Sequence, residues 1–525
     1  MIDNLAKKRL FAASVLVVSS FLAARSIAQQ SSVAPATTLP RAAPEAEGVS
    51  SEALSTFLGA FNGTNHELHS MILVRHGKVV AEGWWKPYAP ELTHSMYSTS
   101  KSFSAAAIGF AVGENRLRVE DKVISFFPDL VPNPMPPYLS DLTVKHLLSM
   151  TVGHDPDPSQ VIPGGSDAWV KAFLATPIVK EPGSTFLYNS MASHMLSAIV
   201  TKVTGEKAID YLRPRLFEPL GISGIDWEVS PEGHNTGGWG LRLHTEDMAK
   251  FGQLYLQDGV WNGRRLLPEG WVAEASSSKI LQEPDQPAEQ RAKSDWLQGY
   301  CYQMWRCRHN AFRADGAFGQ YIVVMPDQDA VLAITSQTSN MQGILDLVWD
   351  HLLPAMHEDA LPANPAGVAA LRSQLAKLSL SIPAGKANAE REKAIEGKSF
   401  TFAANERDIK KIGFFFDAGD CYVRVQDSAG AYELPMSVGT WSYSETTRKG
   451  PYLVARAKNS LNGLPPFKVA CAYRWLDDGA LELTVRYIES PHTETLVCRF
   501  TGERIDIDVT TGVRPAVTVQ GELVR

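Results

Sequence analysis

The chain has 525 residues, 44% hydrophobic and 20% charged, which is ordinary globular usage and excludes disordered, collagen-like, coiled-coil and polytopic membrane classes. Fifty Lys+Arg against 57 Asp+Glu leave a net charge of -7 with no concentrated basic face, so no nucleic-acid partner is expected. Five cysteines are too few for a disulfide scaffold, and none forms a CxxC pair.

Lys7-Lys8-Arg9 precede an apolar run from Leu10 to Ala24, and Ser26-Ile27-Ala28 offers the small residues that a signal peptidase reads. Residues 1–28 are therefore expected to be a cleavable signal peptide. A run of about 15 apolar residues is shorter than the ~20 needed to span a bilayer, so no stable membrane insertion of the mature chain is expected. The implied location is periplasmic or secreted. Residues 29–45 are rich in Ala, Pro, Ser, Thr and Gln and read as a linker.

Ser50 or Ser51 is placed to cap a first helix running to Phe61. A hairpin follows, with strands 70–75 and 78–84 turning at His76-Gly77. Helical patterning dominates from Thr99 to about Ala355, for example over 190–203, 244–257 and 339–355. Strands return at 298–306, 318–325 and 329–336. Strands at both ends of a helical block predict an α/β fold, one antiparallel sheet with flanking helices and a helical subdomain, over residues 46–356. Cys301 and Cys307 share one expected strand, ~20 Å apart if extended, so pairing would need a turn. Cys421, Cys471 and Cys498 are read as buried thiols.

Residues 357–395 read as a connector with one helix over 366–378. From 396 to 525 the chain is strand-rich: 410–416, 420–426, 438–444, 468–475, 480–488, 492–500 and 503–509. Alternation such as Tyr422-Val423-Arg424-Val425-Gln426 predicts an all-β sandwich or barrel.

The chain carries no HExxH, GxSxG, phosphate loop or dinucleotide fingerprint, and no metal or organic cofactor is expected. Two SxxK spacings occur, Ser98–Lys101 and Ser276–Lys279, about what composition alone would give. Their surroundings separate them. Ser98 precedes Ser102-Phe103-Ser104-Ala105-Ala106-Ala107, a small and apolar run suited to a buried helix. Free backbone N–H groups at a helix start favour developing negative charge. Lys101 lies one turn on, where burial and the helix dipole lower its pKa toward that of a usable base. Ser276–Lys279 ends a polar segment and reads as solvated surface.

Four motifs then resemble the penicillin-recognising serine hydrolases, in particular the group similar to class C β-lactamases, with its esterase and nylon-oligomer-hydrolase relatives. They are Tyr97-Ser98-Thr99-Ser100-Lys101-Ser102-Phe103, Val144 to Thr151, Pro182-Gly183-Ser184 through Tyr188-Asn189-Ser190, and Asp315-Gly316-Ala317-Phe318-Gly319-Gln320-Tyr321. The resemblance implies Ser98 as acyl-accepting nucleophile, Lys101 as base and Tyr188 as proton shuttle. It also implies oxyanion and substrate contacts at Gly316, Ala317, Ser190 and Gln320, with the N–H groups of Ser98 and Ala317 forming the hole.

The sequence departs from that pattern twice. Ala314 stands where the family usually has Lys or His, which weakens the expected grip on a substrate carboxylate. Arg313 beside it is a poor substitute, because neighbours on a strand face opposite ways. Ser190 replaces the Asn of the Tyr-x-Asn motif. The expected substrate is a small-molecule ester, amide or β-lactam cleaved through an acyl-enzyme. The alternatives are a β-lactamase or D-Ala-D-Ala peptidase, and a non-catalytic ligand-binding protein with its cavity in the C-terminal β-domain. The oligomeric state is left open by the sequence.

Overall fold

A computed structural model of the protein describes residues 38–417 and 419–524. The expected signal peptide and most of the expected linker lie outside these residues. Among the described residues no helix is long and apolar enough to cross a membrane.

Helix α1 (Ser51–Ala60) is capped by Ser50, whose hydroxyl accepts from Ala53 N. It leads into the hairpin β1 (Glu67–Arg75) and β2 (Lys78–Trp84). The central helices are α2 (Ser100–Gly113), α3 (Ser190–Thr204) and α4 (Thr245–Leu256). Four more strands complete a sheet: β3 (Trp305–Arg306), β4 (Phe312–Gly316), β5 (Gln320–Met325) and β6 (Ala330–Gln337). The order is β2-β1-β6-β5-β4-β3, and every pairing is antiparallel. The two ends of this region thus meet at β1 and β6. Alternation splits the sheet's faces. Ile322, Val324 and Ala314 join the core of the helical subdomain, whereas Tyr321, Val323 and Met325 pack with α1 and the helix Met341–Leu347.

The long helix expected over 339–355 is divided into Met341–Leu347, a π turn Val348–Leu352 and a 3-10 turn Leu353–Ala355. Pro354 has no N–H to continue it. The strand expected over 298–306 is only β3. Gln303 has φ +58°, and Cys301 N donates to Met304 O, closing a turn. All five cysteines are free and buried.

Beyond a helix at Pro365–Ala376 and a second at Ala389–Ile395, ten strands form one antiparallel sheet. The first, Ser399–Phe402, pairs with the last, Arg514–Leu523. The rest follow chain order, so the sheet is a nearly closed up-and-down barrel whose gap lies between Ala431–Met436 and Ser442–Thr446. Phe400, Phe414, Val423, Leu483, Ile505 and Ile507 fill its interior.

Candidate active site

Ser98 lies in a 3-10 turn, Tyr97–Thr99, that runs directly into α2. Tyr97 before it has φ +45°, a region that a bulky residue rarely adopts. The helix that follows is buried along most of its length because its side chains are small; Ser102, Ser104 and Ala105 to Ala107 have no exposed surface. Lys101 is carried into this interior and is 1% exposed.

Three oxygens surround the Lys101 amine. Nζ is 3.1 Å from Ser98 Oγ, 3.0 Å from Ser190 Oγ and 2.6 Å from Gly238 O. Burial lowers its pKa to about 7, with Asp157 and Asp315 pulling the other way. A neutral amine has two N–H groups and one lone pair. With the N–H groups spent on Ser190 and Gly238, the lone pair is left for the Ser98 hydroxyl.

Tyr188 closes the group. Its ring lies 4.9 Å from Lys101 Nζ and is stacked on Trp305 at 5.6 Å. Burial pushes the phenol above its usual range, while the Ser98 hydroxyl acts in the opposite sense, so Tyr188 keeps its proton at neutral pH. Asn189 caps α3 through bonds from Met191 N and Ala192 N, both 3.0 Å. That cap sets Tyr188 and Ser190 on either side of the helix start.

The β4–β5 hairpin forms the other wall. A Cβ on Gly316 would stand 2.2 Å from Met96 O and 2.9 Å from Thr99 Oγ1, so only glycine lets the strand come this close to the serine's turn. Thr99 Oγ1 donates to Gln320 O at 2.9 Å. These contacts hold the turn that carries Ser98 against the β4–β5 hairpin.

Two site expectations are corrected. Gln320 does not face substrate: it is fully buried, its amide donates to Ala317 O and Ser336 O, and its oxygen accepts from Ser336 N. It fastens the hairpin. Ala314 is 2% exposed and points toward α4, among Phe251, Tyr255 and Ile322. It therefore does not determine how a substrate carboxylate is met. Arg313 is buried on the opposite face and paired with Asp315 at 2.7 Å. At Ser276–Lys279, Lys279 turns instead to Glu274 and Ser277.

Two contributors escaped the sequence reading. Gly238, in Thr236-Gly237-Gly238-Trp239-Gly240, supplies the carbonyl on Lys101; only its glycines hint at a close approach. Gln303 ties three helices together by accepting from Ser102 and Ser193 and donating to the carbonyls of Leu147 and Leu148.

The C-terminal region also reaches this site. Tyr452 stacks on Tyr97 at 5.3 Å, Leu453 N donates to Tyr97 Oη at 3.3 Å, and His492 meets Phe318 edge-on at 5.0 Å. The buried Glu228 carboxylate anchors the segment by accepting from Tyr452, Asn459 and Leu461.

The Beta-lactamase family model matches residues 66–352. The chain belongs to that family. It is a serine hydrolase of the β-lactamase fold. A 6-aminohexanoate-dimer hydrolase from Paenarthrobacter ureafaciens is 24% identical over 286 residues, 50% of this chain and 71% of that protein. Among solved structures, the octameric penicillin-binding protein homologue from Pyrococcus abyssi is 16% identical with a TM-score of 0.47, covering 89% of this chain and 99% of that one. A penicillin-binding protein homologue from Caulobacter crescentus is 15% identical, TM-score 0.47, covering 59% of this chain and 98% of that one.

Proposed function

We propose that the protein is an exported hydrolase of carboxylic esters or small amides that works through an acyl-enzyme on Ser98. The observation that carries this is the Lys101 amine, buried, lowered to about 7 and 3.1 Å from Ser98 Oγ. Lys101 accepts the Ser98 proton as Oγ attacks the carbonyl carbon. The N–H groups of Ser98 and Ala317 receive the oxyanion; one such donor is worth about 3–4 kcal/mol in comparable sites. Tyr188 passes a proton to the leaving oxygen or nitrogen, and water then releases the acid by the same groups in reverse.

The similarity to a 6-aminohexanoate-dimer hydrolase supports the amide side of this reading. Export rests on the basic, apolar and small-residue pattern of residues 1–28. The test is turnover of short-chain 4-nitrophenyl esters, the linear 6-aminohexanoate dimer and benzylpenicillin by wild type and Ser98→Ala. Ester or amide turnover that disappears in Ser98→Ala is the expected result. Turnover of benzylpenicillin alone would contradict the ester and amide assignment. An N-terminus at Gln29 in protein from the periplasmic fraction would support export; retention of Met1 in the cytosol would oppose it.

A further inference from the structure

A cavity of about 690 Å³ lies where the helical subdomain meets the barrel. Its hydrolase wall is Ser159 to Gly164. Its other walls are the segment Leu453–Ala457 and two barrel turns, around Arg407 and Arg514. Three guanidinium groups line it: Arg407, Arg456 and Arg514. The one acid among the lining residues is Glu406.

These arginines lack the partners expected of surface cations. Among the described residues, the side chains of Arg456 and Arg514 have no hydrogen-bond or ion-pair partner. The Arg407 side chain donates, among the described residues, only to Pro515 O, and its buried Nε is unpartnered. Arg514 feels the other two directly: burial, Arg407 and Arg456 all lower its pKa, against Glu406 alone. Three like charges around one space repel one another, and an anion placed among them would relieve that repulsion.

The cavity adjoins the serine's surroundings on two sides. Ser159, in its wall, accepts from Met191 N at 3.1 Å and donates to Asn189 Oδ1 at 3.4 Å, next to Tyr188 and Ser190. Leu453, in the opposite wall, donates from its N–H to Tyr97 Oη, next to Ser98. Lys458 N bonded to Pro163 O, and Lys458 paired with Asp167, hold the two walls together.

Resting on the Ser98 reading above, we infer that this cavity is a subsite for a carboxylate carried by the substrate some way from the bond that is cut. Arg407, Arg456 and Arg514 receive it, and Pro163, Leu453, Val454 and Val517 flank the apolar chain between. The C-terminal region thereby supplies the cations for a substrate carboxylate, and it selects amides and esters of dicarboxylic or amino-carboxylic acids.

The test compares 4-nitrophenyl hydrogen suberate with its methyl ester, which differ only in the distal charge. Wild type should favour the carboxylate substrate by about 10- to 100-fold in kcat/KM, the range of a charge-assisted contact. Arg456→Ala and Arg514→Ala should each lower that ratio at least fivefold, and Arg456→Glu should lower it further. Arg424→Ala, on the barrel but outside the cavity, should leave the ratio in place. A wild-type ratio near one, or a ratio that survives both Arg456→Ala and Arg514→Ala, would overturn the subsite. Calorimetric binding of the same pair to Ser98→Ala separates the two readings. Preferential binding of the carboxylate, lost on further substitution of Arg456 and Arg514, upholds the subsite even if Ser98 proves not to be the nucleophile. Equal binding of the pair overturns it.

Discussion

The phenol of Tyr97 and the imidazole of His492 share a 2.5 Å hydrogen bond, although 395 residues separate them. Burial lowers His492 to about 3, so the ring is neutral and its Nε2 accepts from the Tyr97 O–H. The residue before Ser98 is thus held by the C-terminal barrel, in a backbone conformation that it would rarely adopt unaided. His492→Phe keeps a ring against Phe318 but strands a buried donor, a loss of about 1–3 kcal/mol. Its kcat/KM should fall about tenfold or more while serine labelling persists. Tyr97→Phe with His492→Phe removes both side-chain partners, leaves only Leu453 N without its acceptor, and should recover part of the stability that Tyr97→Phe alone loses in denaturant titration. A double variant weaker than Tyr97→Phe alone would show that the pair has another role.

With Lys101 as the proposed base, its amine sets the expected pH dependence. With its amine at about 7 and Tyr188 remaining protonated, kcat/KM should rise with pH through about 7 and then level off. Stability moves the same way over a different range. Between about 7 and the ordinary lysine value of ~10.4 the unfolded chain binds a proton that the folded chain has released, so stability from this group rises with pH there. Lys101→Ala and Tyr188→Phe should each reduce turnover by about 10²–10⁴-fold, and the combined loss should be less than the product. A kcat/KM profile flat from pH 5 to 9 would remove Lys101 as the base.

Gly316→Ala tests the approach of the β4–β5 hairpin to the serine's turn. The added methyl would meet the Met96 carbonyl at 2.2 Å, and that backbone atom cannot rotate away. Turnover should fall by at least tenfold, with Lys101 still buried. Wild-type turnover in Gly316→Ala would mean that the hairpin does not help to form the oxyanion site.

What could be read from the sequence follows how local each feature is. Ser98 and Lys101 are three residues apart at the head of a run of small side chains, so their partnership was visible. Tyr188 was legible through its place before Asn189 and the helix start. Gly238 meets Lys101 across 137 positions and Ser190 meets it across 89; spacing carries no trace of such contacts. Gln320 was misread because a polar residue in a motif's turn can as readily satisfy its own hairpin. The role given to Ala314 depended on which way a strand faces, and register decides that. In the barrel, Ser399–Phe402, Ala431–Met436 and Arg514–Leu523 went unread: the first has only four residues, the other two each contain a proline, and exposed residues blur the alternation. The strand-by-strand count was thus too low, though the all-β character was clear.

The central claim is that Ser98 is the acylated residue. Intact-mass measurement after incubation with a fluorophosphonate, followed by peptide mapping, tests it most directly. The account predicts a single adduct on the peptide containing Ser98 in wild type and none in Ser98→Ala, whose fold should be retained. An adduct that persists in Ser98→Ala, or that maps to Ser276, would contradict it.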